Sequence, residues 1–343
     1  MRDFGVGDDD HDQISRSSHV TSAAGSRADP GRGRGGSVAW HTDGMKRSIW
    51  EANPIFGAKA TTPPDRYLFH YTSVERCAAI GFTGSIALGP LTPLNDPRES
   101  QSRQIMTRRS GARSVSDGER QALEGQLWCL RSRVRLACFT MDRTDGAPSE
   151  RDDRRGYAHS RMWTQYANGH SGVCLIFDRS KLLSRARATF RDADFHHGAV
   201  EYTSGFDNAL LHAECVDFDA PDATRHHRSA VVRSLFVKNR DWESETEYRL
   251  LVDGWADSAC LLPIGDALVG IVLGVAFMKY QLHVVSSLAE RYGLNDNVAQ
   301  LIVNTGVLQA WPSRDEAGAL RLLEDADTRG GRVFDPEDSG PAS

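Results

Sequence analysis

The chain has 343 residues and a formal net charge of −5, with 41 Lys and Arg against 46 Asp and Glu. That mildly acidic balance excludes broad electrostatic attraction to nucleic acid or an anionic membrane, so a polyanionic partner has to be met by a local patch. Six widely spaced cysteines, Cys77, Cys129, Cys138, Cys174, Cys215 and Cys260, form no CxxC or CxxxC pair, which argues against a zinc knuckle or a disulfide scaffold and suits a reducing cytoplasm. The N-terminus lacks the basic-then-apolar order of a signal peptide, and the longest apolar run, Ala267 to Met278, is too short to span a bilayer.

Residues 1–60 are rich in Gly, Ser, Arg and Asp, with little apolar content to offset the entropy of ordering, and are expected to form a disordered N-terminal extension. Residues 325–343 are again polar and expected to fray. Residues 61–324 carry no internal repeat and no long linker, which predicts one domain.

Within that body, Tyr67-Leu68-Phe69-His70-Tyr71 reads as a buried strand, and Ser73 as the cap of a following helix. Ser85–Leu88 is a second strand. Asn95-Asp96-Pro97-Arg98-Glu99 has the cap, Pro and acidic residue of a helix start. A strand at Leu136–Thr140 leads to a helix over Tyr157–Ala167, ended by Gly169. Strands follow at Gly172–Phe177 and Ala199–Thr203, then a helix at Asp222–Val237, a strand at Glu245–Val252, a buried strand at Leu268–Leu273, a helix at Ala276–Tyr292 and a late strand at Val298–Asn304. Short strands broken by single helices, without a regular βαβ rhythm, favour α+β with mainly antiparallel pairing.

The most informative stretch is Trp242-Glu243-Ser244-Glu245-Thr246-Glu247-Tyr248-Arg249-Leu250-Leu251-Val252. In a strand, alternate residues share a face, so Glu245, Glu247 and Arg249 are expected to project together while Tyr248, Leu250 and Val252 turn to the core. A solvated strand face would show the same alternation. The doublets His196-His197 and His226-His227 lack partners at metal-ligand spacing, and side chains pointing apart account for them; no metal is expected. A Gly-x-Gly-x-x-Gly turn, a Walker loop and a Gly-x-Ser-x-Gly elbow are all missing from the sequence, which removes support from kinase and serine-hydrolase classes.

In order along the chain come His70-Tyr71-Thr72-Ser73, Asn95-Asp96-Pro97-x-Glu99, Cys138-Phe139-Thr140, Met162-Trp163-x-x-Tyr166-Ala167, Gly172-Val173-Cys174-x-x-Phe177-Asp178 and Trp242-x-x-Glu245-x-Glu247-x-Arg249. This succession, from about Tyr67 to Asn304, resembles a large bacterial family catalogued as domain of unknown function 2971. More loosely, a His closing the first strand, an aromatic on the helix before a central strand and a late Glu-x-Glu are similar to the His-Tyr-Glu layout of the ADP-ribosyltransferase superfold. That similarity implies a split antiparallel sheet core with helical insertions and NAD as substrate. It also implies ribose contact by His70 with Tyr71 beside it, nicotinamide stacking by Tyr166 or Trp163, and Glu247 as the catalytic carboxylate.

The chemistry gives such a layout a reason. Cleaving the nicotinamide–ribose bond builds positive charge on the sugar, which a carboxylate beneath it stabilises; nicotinamide leaves as a neutral base and needs no general acid. Glu245 would then serve an acceptor, and Arg249 would hold Glu247 ionised or meet the pyrophosphate. His70 donates a hydrogen bond without changing charge, and an aromatic face attracts the pyridinium ring. The bland accounts are a core histidine at His70, core packing for Trp163 and Tyr166, and a simple turn and cap at 95–99. The expectation is therefore an NAD-dependent transferase acting on a macromolecule or nucleotide, with an unknown protein or nucleic acid as acceptor. The alternatives are a catalytically silent binding module on the same fold, which recognises a protein or nucleotide, and a nuclease or glycosidase working through Glu245 and Glu247, the nuclease with a divalent metal.

Overall fold

A computed structural model describes residues 53–56, 63, 65–91, 107–108, 116–143, 154–204, 216–217, 223–255, 259–304, 307–313, 320 and 322. The Asn95–Glu99 helix start and the side chains of His226 and His227 lie outside what is described.

The first strand, β1 (Tyr67–Thr72), is followed by α1 (Val74–Thr83), whose N-terminus is capped by the Ser73 hydroxyl accepting from the Arg76 N–H. Then come β2 (Ser85–Pro90), β3 (Thr107–Arg108), α2 (Asp117–Ser132), β4 (Arg135–Thr140), α3 (Ser160–Tyr166), β5 (Val173–Asp178) and α4 (Arg179–Thr189). The remainder is β6 (Asp194–Ala199), β7 (Glu201–Thr203), β8 (Val216–Asp217), α5 (Ala223–Ser234), β9 (Val237–Asn239), β10 (Glu247–Asp253), β11 (Cys260–Pro263), β12 (Leu268–Leu273), α6 (Leu282–Arg291), β13 (Val298–Asn304) and β14 (Val307–Pro312).

Among the described residues, ten strands form one mixed sheet. Its main path runs β11, β2, β4, β1, β5, β12, β13, β14, and β10 and β6 are added on the other side of β4. All its pairings are antiparallel except β12 with β13. The class is α+β, and β12 and β13 coincide with their sequence-predicted ranges. Two helices start later than the apolar pattern suggested. Helix α3 begins at Ser160 because 154–159 is taken up by a turn, and α6 begins at Leu282 behind a short 3-10 turn at Lys279–Gln281. The strand expected over Ala199–Thr203 is two strands, and the helix expected to reach Val237 stops at Ser234, freeing Val237–Asn239 to pair with β7.

Both faces of the sheet are covered, which is why β5 and β10 read as nearly unbroken buried runs. One face carries Leu68, Phe139, Phe177, Tyr248 and Leu250 against α1, α4 and α6. The other carries Phe69, Tyr71, Cys174 and Ile176 against Tyr157, Met162 and Trp163. Ile55 and Phe56 belong to this second layer at 3% and 8% exposure, and Asn53 holds their turn by accepting the N–H groups of both. The described part of the expected N-terminal extension is thus integral: two apolar side chains fill a place over β1 that the polar composition around them concealed.

Candidate functional site

The register of β4 sorts the expected site residues. Thr140 is opposite Phe69 on β1 and opposite Glu247 on β10, so Phe69, Thr140 and Glu247 share one face. His70 is the next residue along β1 and turns to the other face, where its ring lies 5.5 Å from that of Phe139 and its Nδ1 is 3.1 Å from the Cys138 carbonyl. Burial lowers its pKa, and the Cys138 carbonyl only partly offsets this. His70 therefore lies on the opposite face of the sheet from Glu247, and the structure does not bring the two expected site residues together. The cause is strand parity, since a shift of one residue exchanges faces.

Tyr71 and Trp163 are on the Glu247 face but are consumed by packing. Their rings meet edge to face at 5.1 Å, the Tyr71 hydroxyl donates to the Gly156 carbonyl, and the Trp163 indole donates to the Tyr157 carbonyl at 2.7 Å. Trp163 is 0% exposed and presents no face to a ligand.

Glu245, Glu247, Arg249 and Tyr166 do converge, though not by strand alternation. Glu245 ends a 3-10 helix (Arg240–Glu245), and Thr246 then adopts a left-handed conformation, φ 46°, before β10 begins. For a β-branched residue that conformation costs on the order of 1–2 kcal/mol, and here it folds the Glu245 side chain back beside Glu247. Arg249 grips Glu247 with Nε donating to Oε1 and Nη2 to Oε2, both at 2.8 Å. Its remaining nitrogen, Nη1, donates to the Leu235 carbonyl. Lys238 bridges the two carboxylates, its Nζ 2.6 Å from Glu245 Oε2 and 3.3 Å from Glu247 Oε2. Tyr166 donates its hydroxyl to Glu245 Oε1 at 2.7 Å, and the Glu247 N–H donates to the Tyr202 hydroxyl at 2.8 Å.

Every carboxylate oxygen of the pair thus has a donor, and two cations face two anions. Glu245, Glu247, Lys238 and Arg249 are all under 5% exposed. Burial pushes the Glu247 carboxyl up, but the Arg249 guanidinium and Lys238 more than reverse this and hold it at about 2. On the outer side, Trp242 is held between Lys238 and Arg161, which lie 4.6 and 4.9 Å from its ring centre. Thr140, fully buried and opposite Glu247, has no hydrogen-bond partner for Oγ1 among the described residues.

A further buried carboxyl, Asp142, accepts from the Gly156 N–H at 2.7 Å and pairs with Arg155 at 3.0 Å. Burial outweighs both contacts and pushes its pKa to about 6. Sequence reasoning missed Lys238, Tyr202 and Asp142. Lys238 was signalled by a lone cation in the run Phe236-Val237-Lys238-Asn239 seven residues before Glu245, and the other two carried no local signal.

Among the described residues, no group of three or more His, Cys, Asp or Glu is placed to hold a metal ion, and no helix is long and apolar enough to cross a membrane. No curated protein and no solved structure matches the chain. Residues 162–250, which contain Tyr166, Tyr202, Lys238, Glu245, Glu247 and Arg249, match the family model described as "Protein of unknown function (DUF2971)".

Proposed function

We propose that this chain is a binding module without turnover, in which Glu245 and Glu247 tie α3, β9 and β10 together instead of acting on a substrate. The carrying observation is the complete engagement of both carboxylates by Lys238, Arg249 and Tyr166. A carboxylate stabilises a developing oxocarbenium ion through an uncompensated field, whereas Glu247 already faces a guanidinium and an ammonium. Its depressed pKa also makes it a poor base. Recognition of a protein or nucleotide falls to the seam between α3 and the Arg240–Glu245 helix, where Arg161 lies over the half-buried Trp242, residue types that dominate binding surfaces.

The second reading is an ADP-ribosyltransferase-like enzyme that uses the Tyr166 and Glu245 pair without His70. It is favoured by the convergence of one aromatic and two carboxylates at a single place. Incubation of the full chain with NAD separates the two. The binding module releases no nicotinamide above the buffer rate, while release that Glu245→Gln or Glu247→Gln abolishes, with folding intact, establishes the transferase.

A further inference from the structure

The face of β10 that carries Tyr248 has a separate polar constellation. Between the C-terminal turn of α4 and strand β6 lies an open depression of about 360 Å³, lined by Arg187, Phe190, Arg191, Phe195 and His197 among others. Strand β6 pairs only with β10 among the described residues, so this depression sits at a free sheet edge. His196 and His197 both line it but alternate across the strand, being opposite Leu251 and Leu250 respectively, and of the two it is His197 that reaches Arg187 and Tyr248.

Its geometry is unusual for a guanidinium. Arg187 Nη2 is 3.0 Å from His197 Nε2, and no carboxylate pairs with Arg187 among the described residues. Since an arginine only donates, Nε2 must accept, and the other ring nitrogen, Nδ1, then donates to the Tyr248 hydroxyl at 2.7 Å. The groups facing His197 are Arg187 and Arg179 from α4, Tyr248 from β10 and the neighbouring His196. The acidic groups around the rim are otherwise occupied: Asp194 and Asp253 with Arg228, Asp65 with Arg179, and Asp192 with Arg191. What remains is a donor-rich concavity that places an uncompensated guanidinium beside a neutral imidazole.

We propose that this depression binds the phosphate group of a small ligand, held by Arg187 and His197 with Arg191 at the mouth. An incoming oxygen takes the Arg187 N–H now spent on the imidazole. The freed Nε2 then binds a proton and donates it to a second oxygen, so binding takes up one proton and adds a second charge-assisted hydrogen bond. Burial and the adjacent Arg187 depress the His197 pKa in the empty site, and a bound dianion reverses the second of these causes. Reciprocal linkage then makes affinity rise as pH falls. The site lies on the opposite face of β10 from Glu247 and stands or falls independently of the function proposed above.

Titration calorimetry of the full chain with inorganic phosphate, adenosine monophosphate and adenosine tests this, with sulfate as an oxyanion that does not titrate near neutrality. The expected result is binding of the three anions but not of adenosine, with sulfate tighter at about pH 6 than at about pH 8. Buffer-dependent heats should show net proton uptake that His197→Gln abolishes. Arg187→Gln, a change at an exposed position, should weaken phosphate about tenfold or more, while Lys181→Gln on the same helix leaves it unchanged. Adenosine monophosphate much tighter than phosphate identifies a nucleotide-like ligand, and equal affinity identifies free phosphate; both support the site. Unchanged binding in Arg187→Gln, or no binding of any of the anions, overturns it.

Discussion

Arg249 reaches two residues back along its own strand to hold Glu247 by two parallel hydrogen bonds of 2.8 Å, while itself fully buried. Fork-to-carboxylate pairing of this kind is among the strongest hydrogen bonding available to side chains. A buried pair is expensive to break from one side only, and the first prediction follows from that asymmetry.

Lys238→Met removes the ammonium between Glu245 and Glu247 and leaves Glu245 with only the Tyr166 hydroxyl among its contacts given above. The expected loss in unfolding free energy is about 3–5 kcal/mol. Adding Glu245→Gln to Lys238→Met should recover part of it, since the orphaned charge goes with its partner. A double variant as unstable as the sum of the single variants would show that the two groups do not interact.

Stability should be bell-shaped in acid. Asp142 has a folded pKa of about 6, raised from 3.8, so its stability cost sets in as pH rises above 3.8 and is complete above about 6. Acidifying from about pH 6 to about pH 4 should return stability, by at most about 3 kcal/mol. Glu247 works in the other direction. Its folded pKa of about 2, lowered from 4.5, contributes stability that is fully present above 4.5 and is lost as pH falls through 2. Thermal melts across this range should therefore peak near pH 4, and Asp142→Asn should flatten the limb between about pH 4 and 6. A monotonic decline from neutrality in the unaltered chain would contradict the assignment for Asp142.

A chain beginning at Thr61 should melt well below one beginning at Asn53. The shorter chain loses Ile55 and Phe56, whose burial against the Tyr67, Tyr157 and Trp163 layer is worth ~3 kcal/mol or more. It also loses the Ile55 carbonyl that accepts from Arg155. Equal melting temperatures would show that the turn merely rests on the sheet.

Gly156 is the tightest sequence-encoded constraint near Asp142. A Cβ there would fall 2.2 Å from the Phe69 ring, and the residue's own N–H and carbonyl are both used, by Asp142 and Tyr71. Gly156→Ala should cost at least 1–3 kcal/mol through overpacking, measured by denaturant unfolding, whereas the same change at Gly125, which meets nothing within 4 Å, should not destabilise.

The strand and helix order was legible because hydrophobic period and caps are local. β5 and β12 are nearly continuous apolar runs, β13 is apolar around Gln300, and Ser73 announces α1. The proximity of Glu245, Glu247 and Arg249 was also legible, but for an incomplete reason: alternation holds from Glu247 to Arg249, while Glu245 is delivered by a left-handed turn at Thr246 that no propensity announces. Parity across strands was not legible. Whether His70 shares a face with Glu247 depends on the register of β4 between β1 and β10, a long-range quantity fixed by packing. Lys238 escaped notice because its partner strand, β7, lies some 35 residues away in the chain, and α4 because Leu182, Leu183 and Ala186 are its only buried residues.

The most direct test of the central claim is the melting temperature of Glu247→Gln beside its behaviour toward NAD. Gln keeps the shape but removes the counter-charge of a fully buried Arg249. A structural Glu247 predicts a loss of about 3–5 kcal/mol, or roughly 6–15 °C at this size, with no nicotinamide released by either form. An unchanged or raised melting temperature, together with a nicotinamide-releasing activity present in the parent and lost in the variant, would contradict it.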